Sequence, residues 1–145
     1  MAEMTRDEVD EFLDGHGGWA VLATNGKNGY PHAVPMGFFR MGEEILLPVR
    51  GQRQVNIERD PRVCVSVESG REWTELKGVV IQGDATLITD PAAVLELMRE
   101  GSRRHGVPED QLPTEIRRGL GGYIRVSPRK IASWDNSKRR SPTSS

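Results

Sequence analysis

Residues 62 to 68 read Arg-Val-Cys-Val-Ser-Val-Glu, and this strict alternation leaves one regular conformation open. In a β-strand successive side chains point to opposite faces, so Val63, Val65 and Val67 share one side and Cys64, Ser66 and Glu68 the other. Such a strand needs partners, and the flanking sequence supplies them. Trp19 to Thr24 is a strand candidate, and Asn25-Gly26-Lys27-Asn28-Gly29 offers residues that tolerate positive φ in a hairpin turn. A return strand spans Pro31 to Arg40, and Met41-Gly42-Glu43 turns the chain into a third, Glu44 to Val49. Lys77 to Thr89 is a long strand whose Gly83 marks a bulge or a close backbone approach. Tyr123 to Trp134 closes the set, interrupted at Pro128.

Helices are fewer. Thr5 followed by Glu8 is a capping box opening a short helix with Val9, Phe12 and Leu13 as its apolar positions, ended by Gly15 to Gly18. Arg50-Gly51-Gln52 breaks the strand pattern, and Arg53 to Arg59 follows as a short helix stopped by Asp60-Pro61. Asp90-Pro91 places a cap before a proline at the first helical position of a helix running through Arg104, with Val94, Leu95, Leu97 and Met98 as its stripe. Pro113 to Leu120 is a further helical stretch. About six strands with few helices in 145 residues predict one α+β domain, mainly β, built as a small antiparallel barrel over residues 1–136. Residues 137–145 are polar and basic, and are expected to be a disordered tail.

Charge and cysteine content narrow the function. The net charge of −1 argues against a wholesale nucleic-acid binder. The balance is uneven: residues 1–98 carry 9 basic against 16 acidic groups, and residues 99–145 carry 11 against 5. No apolar run approaches the roughly 20 residues of a membrane helix, and no signal-peptide pattern begins the chain, so a cytoplasmic domain is expected. The single cysteine, Cys64, permits no internal disulfide, and in its alternating strand it reads as a small buried hydrophobe rather than a nucleophile. His16, His32 and His105 stand at neither metal-ligand nor triad spacing. If the chain is an enzyme, the reactive atoms belong to a cofactor.

The stretch Pro48-Val49-Arg50-Gly51-Gln52-Arg53-Gln54-Val55-Asn56 carries the most chemistry. A strand end feeds a turn with two arginines and a glycine, and a helix then begins. Backbone N–H groups at the helix start, together with two guanidinium forks, suit a phosphate. The plainer alternative pairs Arg50 and Arg53 with Glu58 or Asp60 on the surface.

Four segments in order carry a resemblance. They are Gly29-Tyr30-Pro31-His32-Ala33-Val34-Pro35-Met36, Arg53 through Asn56 and Asp60-Pro61 to Val63, Gly78-Val79-Val80-Ile81-Gln82-Gly83-Asp84-Ala85, and Pro128-Arg129-Lys130-Ile131-Ala132-Ser133-Trp134. Over roughly Trp19 to Trp134 the chain resembles the pyridoxamine 5'-phosphate oxidase-like superfamily of split β-barrels, which includes FMN-binding proteins. The resemblance implies a homodimer with two cofactor sites, for FMN or the deazaflavin factor 420, in grooves between subunits. It implies that Pro35, Met36, Gly37 and Phe38 lie beside the cofactor ring and offer backbone hydrogen bonds to its edge. It also implies that Pro48, Val49, Arg50, Gly51, Gln52 and Arg53 hold the phosphate, with Asn56 stabilising the turn or helix. The family usually has lysine where Arg53 stands, and arginine can also grip a phosphate.

Two departures bear on the reaction. True pyridoxamine phosphate oxidases carry a pattern like RQVRxEG where this chain has Lys77-Gly78-Val79-Val80-Ile81-Gln82-Gly83, and their arginine-rich C-terminal substrate motif is not recognisable here. The resemblance therefore implies a flavin- or deazaflavin-dependent oxidoreductase moving a hydride to a small-molecule acceptor, and not vitamin B6 oxidation. Trp73, Tyr123 and Trp134 are candidates to wall the acceptor pocket, or else core and dimer contacts. The alternatives are a non-catalytic cofactor-binding or storage protein of the same fold, including haem binding through His32 or His105, and an interaction module anchored by Lys138-Arg139-Arg140.

Overall fold

The computed structural model describes residues 2–15 and 19–138. The elements run α1 (Arg6–Gly15), β1 (Ala20–Asn25), β2 (Pro31–Met36), β3 (Phe39–Met41), β4 (Glu44–Val49), α2 (Gly51–Arg59), β5 (Arg62–Ser69), β6 (Lys77–Ile88), α3 (Pro91–Arg104) and β7 (Gly122–Asp135). All seven strands form one antiparallel sheet in the order β2, β1, β5, β6, β7, β4, β3. The two outermost strands, β2 and β3, are consecutive in the chain and separated by Gly37-Phe38. A link that short forces the sheet to curl until its edges approach, which is the split barrel the sequence predicts.

The expected single return strand from Pro31 to Arg40 is therefore two strands. Its first half pairs with β1 (Val21 opposite Pro35) and its second with β4 (Phe39 opposite Leu46). Prolines mark the open edges: Pro31 and Pro35 lie in edge strand β2, where a missing N–H breaks no ladder. Pro128 does not interrupt β7, contrary to the sequence reading. The register shifts between Gln82 and Gly83, so Pro128 faces Gly83, Lys130 faces Gln82, and Arg129 is the extra residue of a bulge.

Alternation places Leu22, Ile45, Leu47, Val49, Val63, Val65, Val67, Val79, Ile81, Ile124 and Val126 inside the barrel, joined by Val9 and Leu13 of α1 and Ile57 of α2. The outer face of β3, β4 and β7 is covered by α3, where Val94, Met98, Phe39, Leu46 and Tyr123 make a second core with Leu97 beside it; Leu95 is not part of it. Both expected caps are present. Thr5 N donates to Glu8 Oε1 (2.9 Å) and Glu8 N to Thr5 Oγ1 (3.2 Å), while Asp90 Oδ2 accepts from Ala93 N (3.0 Å).

The helix expected over Pro113–Leu120 is absent. That stretch is a loop held to its surroundings: Arg99 Nη1 donates to Pro113 O (3.0 Å) and Gly121 N to Val49 O (2.9 Å). Of the expected tail, Ser137 and Lys138 are described, and Lys138 Nζ bonds Glu8 Oε1 at 2.6 Å; residues 139–145 lie outside the described residues, as does His16.

Candidate phosphate and cofactor site

The turn between β4 and α2 is built by local chemistry. Arg50 caps α2 in extended backbone, and Gly51 follows with a φ of +61°, a region that strains any side chain. The helix thus begins two residues earlier than the sequence reading gave. Asp60 ends it: its backbone N–H bonds Asn56 O, and its carboxylate takes the Arg62 guanidinium (2.8 Å) and Asn25 Nδ2 (3.0 Å). With Asp60 so occupied, the surface pairing of Arg50 or Arg53 with it does not form, and neither arginine pairs with Glu58.

Arg53 is half-buried and its Nε donates to Pro48 O at 3.4 Å. Burial, then the nearby charges of Arg50 and Arg117, pushes its guanidinium below the ordinary arginine value. None of these three arginines makes an ion pair among the described residues. Arg117 was not anticipated, because it sits in the stretch expected to be helical. The basic excess after residue 98 and the Arg117-Arg118-Gly119 sequence were the only signals pointing to it.

The remaining expected site residues divide. Gly37, Phe38 and Pro48 line a cavity of about 300 Å³ together with Arg117, Tyr123 and the end of α3 at Ser102 and His105. Gln52 and Asn56 line a separate space of about 730 Å³ with Lys27, Tyr30 and His32, where the buried His32 Nδ1 has no hydrogen-bond partner. The side chains of Met36, Phe38 and Val49 are buried, so these residues can meet a ligand chiefly through their main chain. Pro35, without an N–H, can only accept, whereas Gly37 and Phe38 belong to neither ladder. Asn56 is fully buried and its side chain is committed to the fold, donating to Thr24 Oγ1 (3.0 Å) and accepting from Gln52 Nε2 (2.8 Å).

Of the three aromatic candidates, only Tyr123 reaches the cavity beside Gly37 and Phe38. Burial raises its phenol, with the Arg117 charge partly offsetting that. Trp134 lies over Gly78 in the neighbouring strand, and Trp73 is exposed, in a 3-10 turn at Trp73–Glu75. Cys64 is half-buried on the face turned away from the barrel core, not inside it as expected; burial raises its thiol, which disfavours the thiolate. Among the described residues no group of three or more histidine, cysteine or carboxylate side chains could hold a metal, and no helix is long and apolar enough to cross a membrane.

These residues fit a phosphate-bearing ligand: guanidinium groups without carboxylate partners surround a glycine turn at a helix start. The model of the pyridoxamine 5'-phosphate oxidase family matches residues 5–135. Among solved structures the chain is similar to a conserved hypothetical protein from Mycobacterium tuberculosis, with 26% identity and a TM-score of 0.77, covering 92% of this chain and 86% of that one. It is similar in fold to an F420 reductase (22% identity, TM-score 0.64, covering 83% and 94%). It is likewise similar in fold to HutZ, the haem storage protein from Vibrio cholerae (17% identity, TM-score 0.65, covering 93% and 97%). No curated protein matches the chain in sequence.

Proposed function

The chain belongs to the pyridoxamine 5'-phosphate oxidase family, and from that membership we propose that it binds a phosphate-bearing flavin or deazaflavin, FMN or factor 420, and serves as an oxidoreductase toward a small-molecule acceptor. The observation that carries this reading is the turn at Pro48–Arg53, where Arg50 and Arg53 stand near Arg117 and, among the described residues, none of the three pairs with a carboxylate. When bound, such a cofactor supplies a ring that can carry a hydride.

The protein's own part is to hold and enclose. Arg50 and Arg53 take the phosphate, assisted by the backbone N–H groups at the start of α2. Gly37 and Phe38 offer main-chain groups to a ring edge, and the apolar surfaces of Phe38, Pro48 and Tyr123 exclude water from the adjoining cavity. Pyridoxamine phosphate is not the substrate in this reading. The positions at which true oxidases carry a glutamine and an arginine are occupied by Gly78, covered by Trp134, and by half-buried Val80.

The working unit is a homodimer. Support comes from the outward face of β1 and β2, where Val21 opposes Pro35 and Ala23 opposes Ala33 in an apolar patch with Val21 40% exposed.

Parallel titration of the purified apo-protein with FMN, factor 420 and haemin, followed by fluorescence or absorbance, tests the reading. Saturable binding of FMN or factor 420, with reoxidation of the reduced form by an acceptor only in the protein's presence, upholds it. Binding without turnover reduces it to a storage role, and binding of haemin alone overturns it.

A further inference from the structure

We infer that the cavity beside the end of α3 takes an apolar ring compound with a conjugated carbonyl group, and that His105 is the residue that hydrogen-bonds and protonates its oxygen. The inference rests on the reading above, in which a small-molecule acceptor meets the cofactor, and it names that acceptor's class.

The chain fixes His105 where α3 stops. Gly106 takes a φ of +86°, its N–H donates to Arg103 O (3.1 Å), and Val107 N donates to Ser102 O (3.0 Å). These bonds make the glycine-terminated turn that ends many helices, and they hold the backbone at His105 in place. Its ring folds back along the helix, and Nδ1 lies 2.7 Å from Gly101 O. A carbonyl oxygen only accepts, so Nδ1 carries the hydrogen of this bond. In the neutral ring Nε2 is then the bare nitrogen, and among the described residues it has no partner. The charged groups on the outer side of the ring are committed elsewhere: Asp14 to Arg40 (2.7 Å) and Arg104 to Glu100 (2.8 Å).

The cavity that His105 lines holds about 300 Å³, room for one or two fused rings. Phe38, Phe39, Met98 and Tyr123 are its buried walls, and the rings of Phe39 and Tyr123 meet edge to face with centroids 6.4 Å apart. Gly101 brings α3 close, since a Cβ there would lie 3.0 Å from the Phe39 ring. Apart from the Tyr123 hydroxyl, the polar side chains lining it are Ser102 and His105 at the end of α3 and Arg117 from the loop before β7. Such a lining favours a flat apolar body with its oxygen turned to the α3 end.

Reduction of a conjugated carbonyl compound adds a hydride to carbon and a proton to oxygen. With the hydride drawn from the reduced cofactor of the reading above, the displaced electron pair comes to rest on oxygen. The imidazolium form of His105 gives that oxygen a proton from Nε2 while Nδ1 stays on Gly101 O. The ring is exposed, so solvent returns the proton.

The first test uses the full-length protein without added cofactor, naphthol as the probe and naphthalene as its counterpart lacking oxygen. The naphthol hydroxyl stands for the reduced oxygen and donates to Nε2. Nitrogen NMR of the neutral imidazole should show His105 with a protonated Nδ1 and a bare Nε2, and naphthol should shift Nε2. Naphthol should bind about five-fold or more tighter than naphthalene, the scale of one hydrogen bond. His105→Asn keeps a donor near the Nδ1 position and loses Nε2, so it should melt with the wild type while the preference for naphthol disappears. His105→Gln places an amide near the Nε2 position and should keep part of the preference. In protein loaded with whichever reduced cofactor it binds, reoxidation by menadione should slow by about a hundred-fold in both variants, because neither amide has a proton to give.

Equal affinity for the two probes, a bare Nδ1, or a preference that survives in His105→Asn overturns the inference. So does loss of naphthol when cofactor saturates the protein, which would assign the cavity to the cofactor itself. Reoxidation by menadione no faster than in free solution, or equal in wild type and variants, overturns the acceptor class and the proton transfer. Cofactor binding alongside any of these results leaves the reading above standing. Oxygen-selective binding through His105, with neither FMN nor factor 420 bound, upholds the site while the cofactor reading falls.

Discussion

Asn56 donates from Nδ2 to Thr24 Oγ1 at 3.0 Å, and both side chains are buried between α2 and β1. Asn56 Oδ1 also accepts from Gln52 Nε2 (2.8 Å) and Arg59 Nη2 (3.3 Å). One side chain thus locks the helix that carries Arg53 to β1, the strand next to the edge of the sheet. A buried amide with its donors and acceptors satisfied holds one geometry, and the β4–α2 turn inherits that rigidity.

Asn56→Ala is expected to destabilise the fold by about 1–3 kcal/mol, because it removes the partner of a buried hydroxyl and of the Gln52 amide. Urea denaturation with an unchanged slope and a lower midpoint checks this. A midpoint equal to that of the wild type would show that water replaces the amide without loss.

Arg53→Ala is expected to weaken binding of the phosphate-bearing cofactor by about 1.5–3 kcal/mol, with Arg53→Lys losing less. Fluorescence titration reads it directly. An unchanged dissociation constant removes Arg53 from the site.

Gly78→Ala should disturb Trp134, because a Cβ at that position overlaps the indole ring. A close cross-strand packing of this kind has no room for a methyl group, so a loss of about 1–3 kcal/mol is expected, along with a shift in tryptophan emission. Stability and emission both matching the wild type would mean that the ring moves aside freely.

The pH dependence has a defined direction at the junction of α1 with the C-terminal segment. Lys138 and the backbone N–H of Thr5 hold the Glu8 carboxyl down to about 2 from its ordinary 4.5. A carboxylate depressed in the folded state stabilises it above the ordinary value, and that contribution is lost as pH falls through the folded value. Melting temperatures should therefore fall between about pH 5 and pH 2, and the fall should be smaller in Glu8→Gln. An identical acid profile for the two proteins would exclude the Glu8–Lys138 pair as its source.

The apolar face of β1 and β2 is expected to be the dimer contact. Val21→Glu places a charge at its centre, opposite Pro35 and Ser66. Light scattering at micromolar concentration should give a dimer for the wild type and a monomer for the variant. A monomeric wild type contradicts the proposal at once.

What the sequence carried well was whatever chemistry is settled within a few residues. Val63, Val65 and Val67 had to face one side because a strand repeats every two residues. The Thr5–Glu8 and Asp90–Ala93 caps close within a single turn of helix, so their partners are adjacent in sequence. Gly83 announced the bulge, since a residue without a side chain in a long strand signals an irregular ladder. The resemblance to the family likewise rested on such short segments, and it implied that the turn at Pro48–Arg53 holds a phosphate.

Tertiary structure decided what depends on residues far apart in the chain. Nothing local to Pro31–Arg40 says that its halves belong to opposite edges of the sheet; the break at Gly37-Phe38 exists because a seven-stranded sheet must curl to bury its inner face. Pro113–Leu120 has helical composition, but its Pro113 carbonyl is taken by Arg99 and the adjoining Gly121 N by Val49, and that choice is made by packing against β4 and α3. By the same packing Arg117 comes to stand with Arg50 and Arg53 across more than sixty positions of sequence. Local hydrogen bonding and side-chain period therefore determined the elements and the β4–α2 turn. The closing of the sheet alone determined which third charge that turn would share, because sequence patterns record what neighbours do and not where a curled sheet brings strangers together.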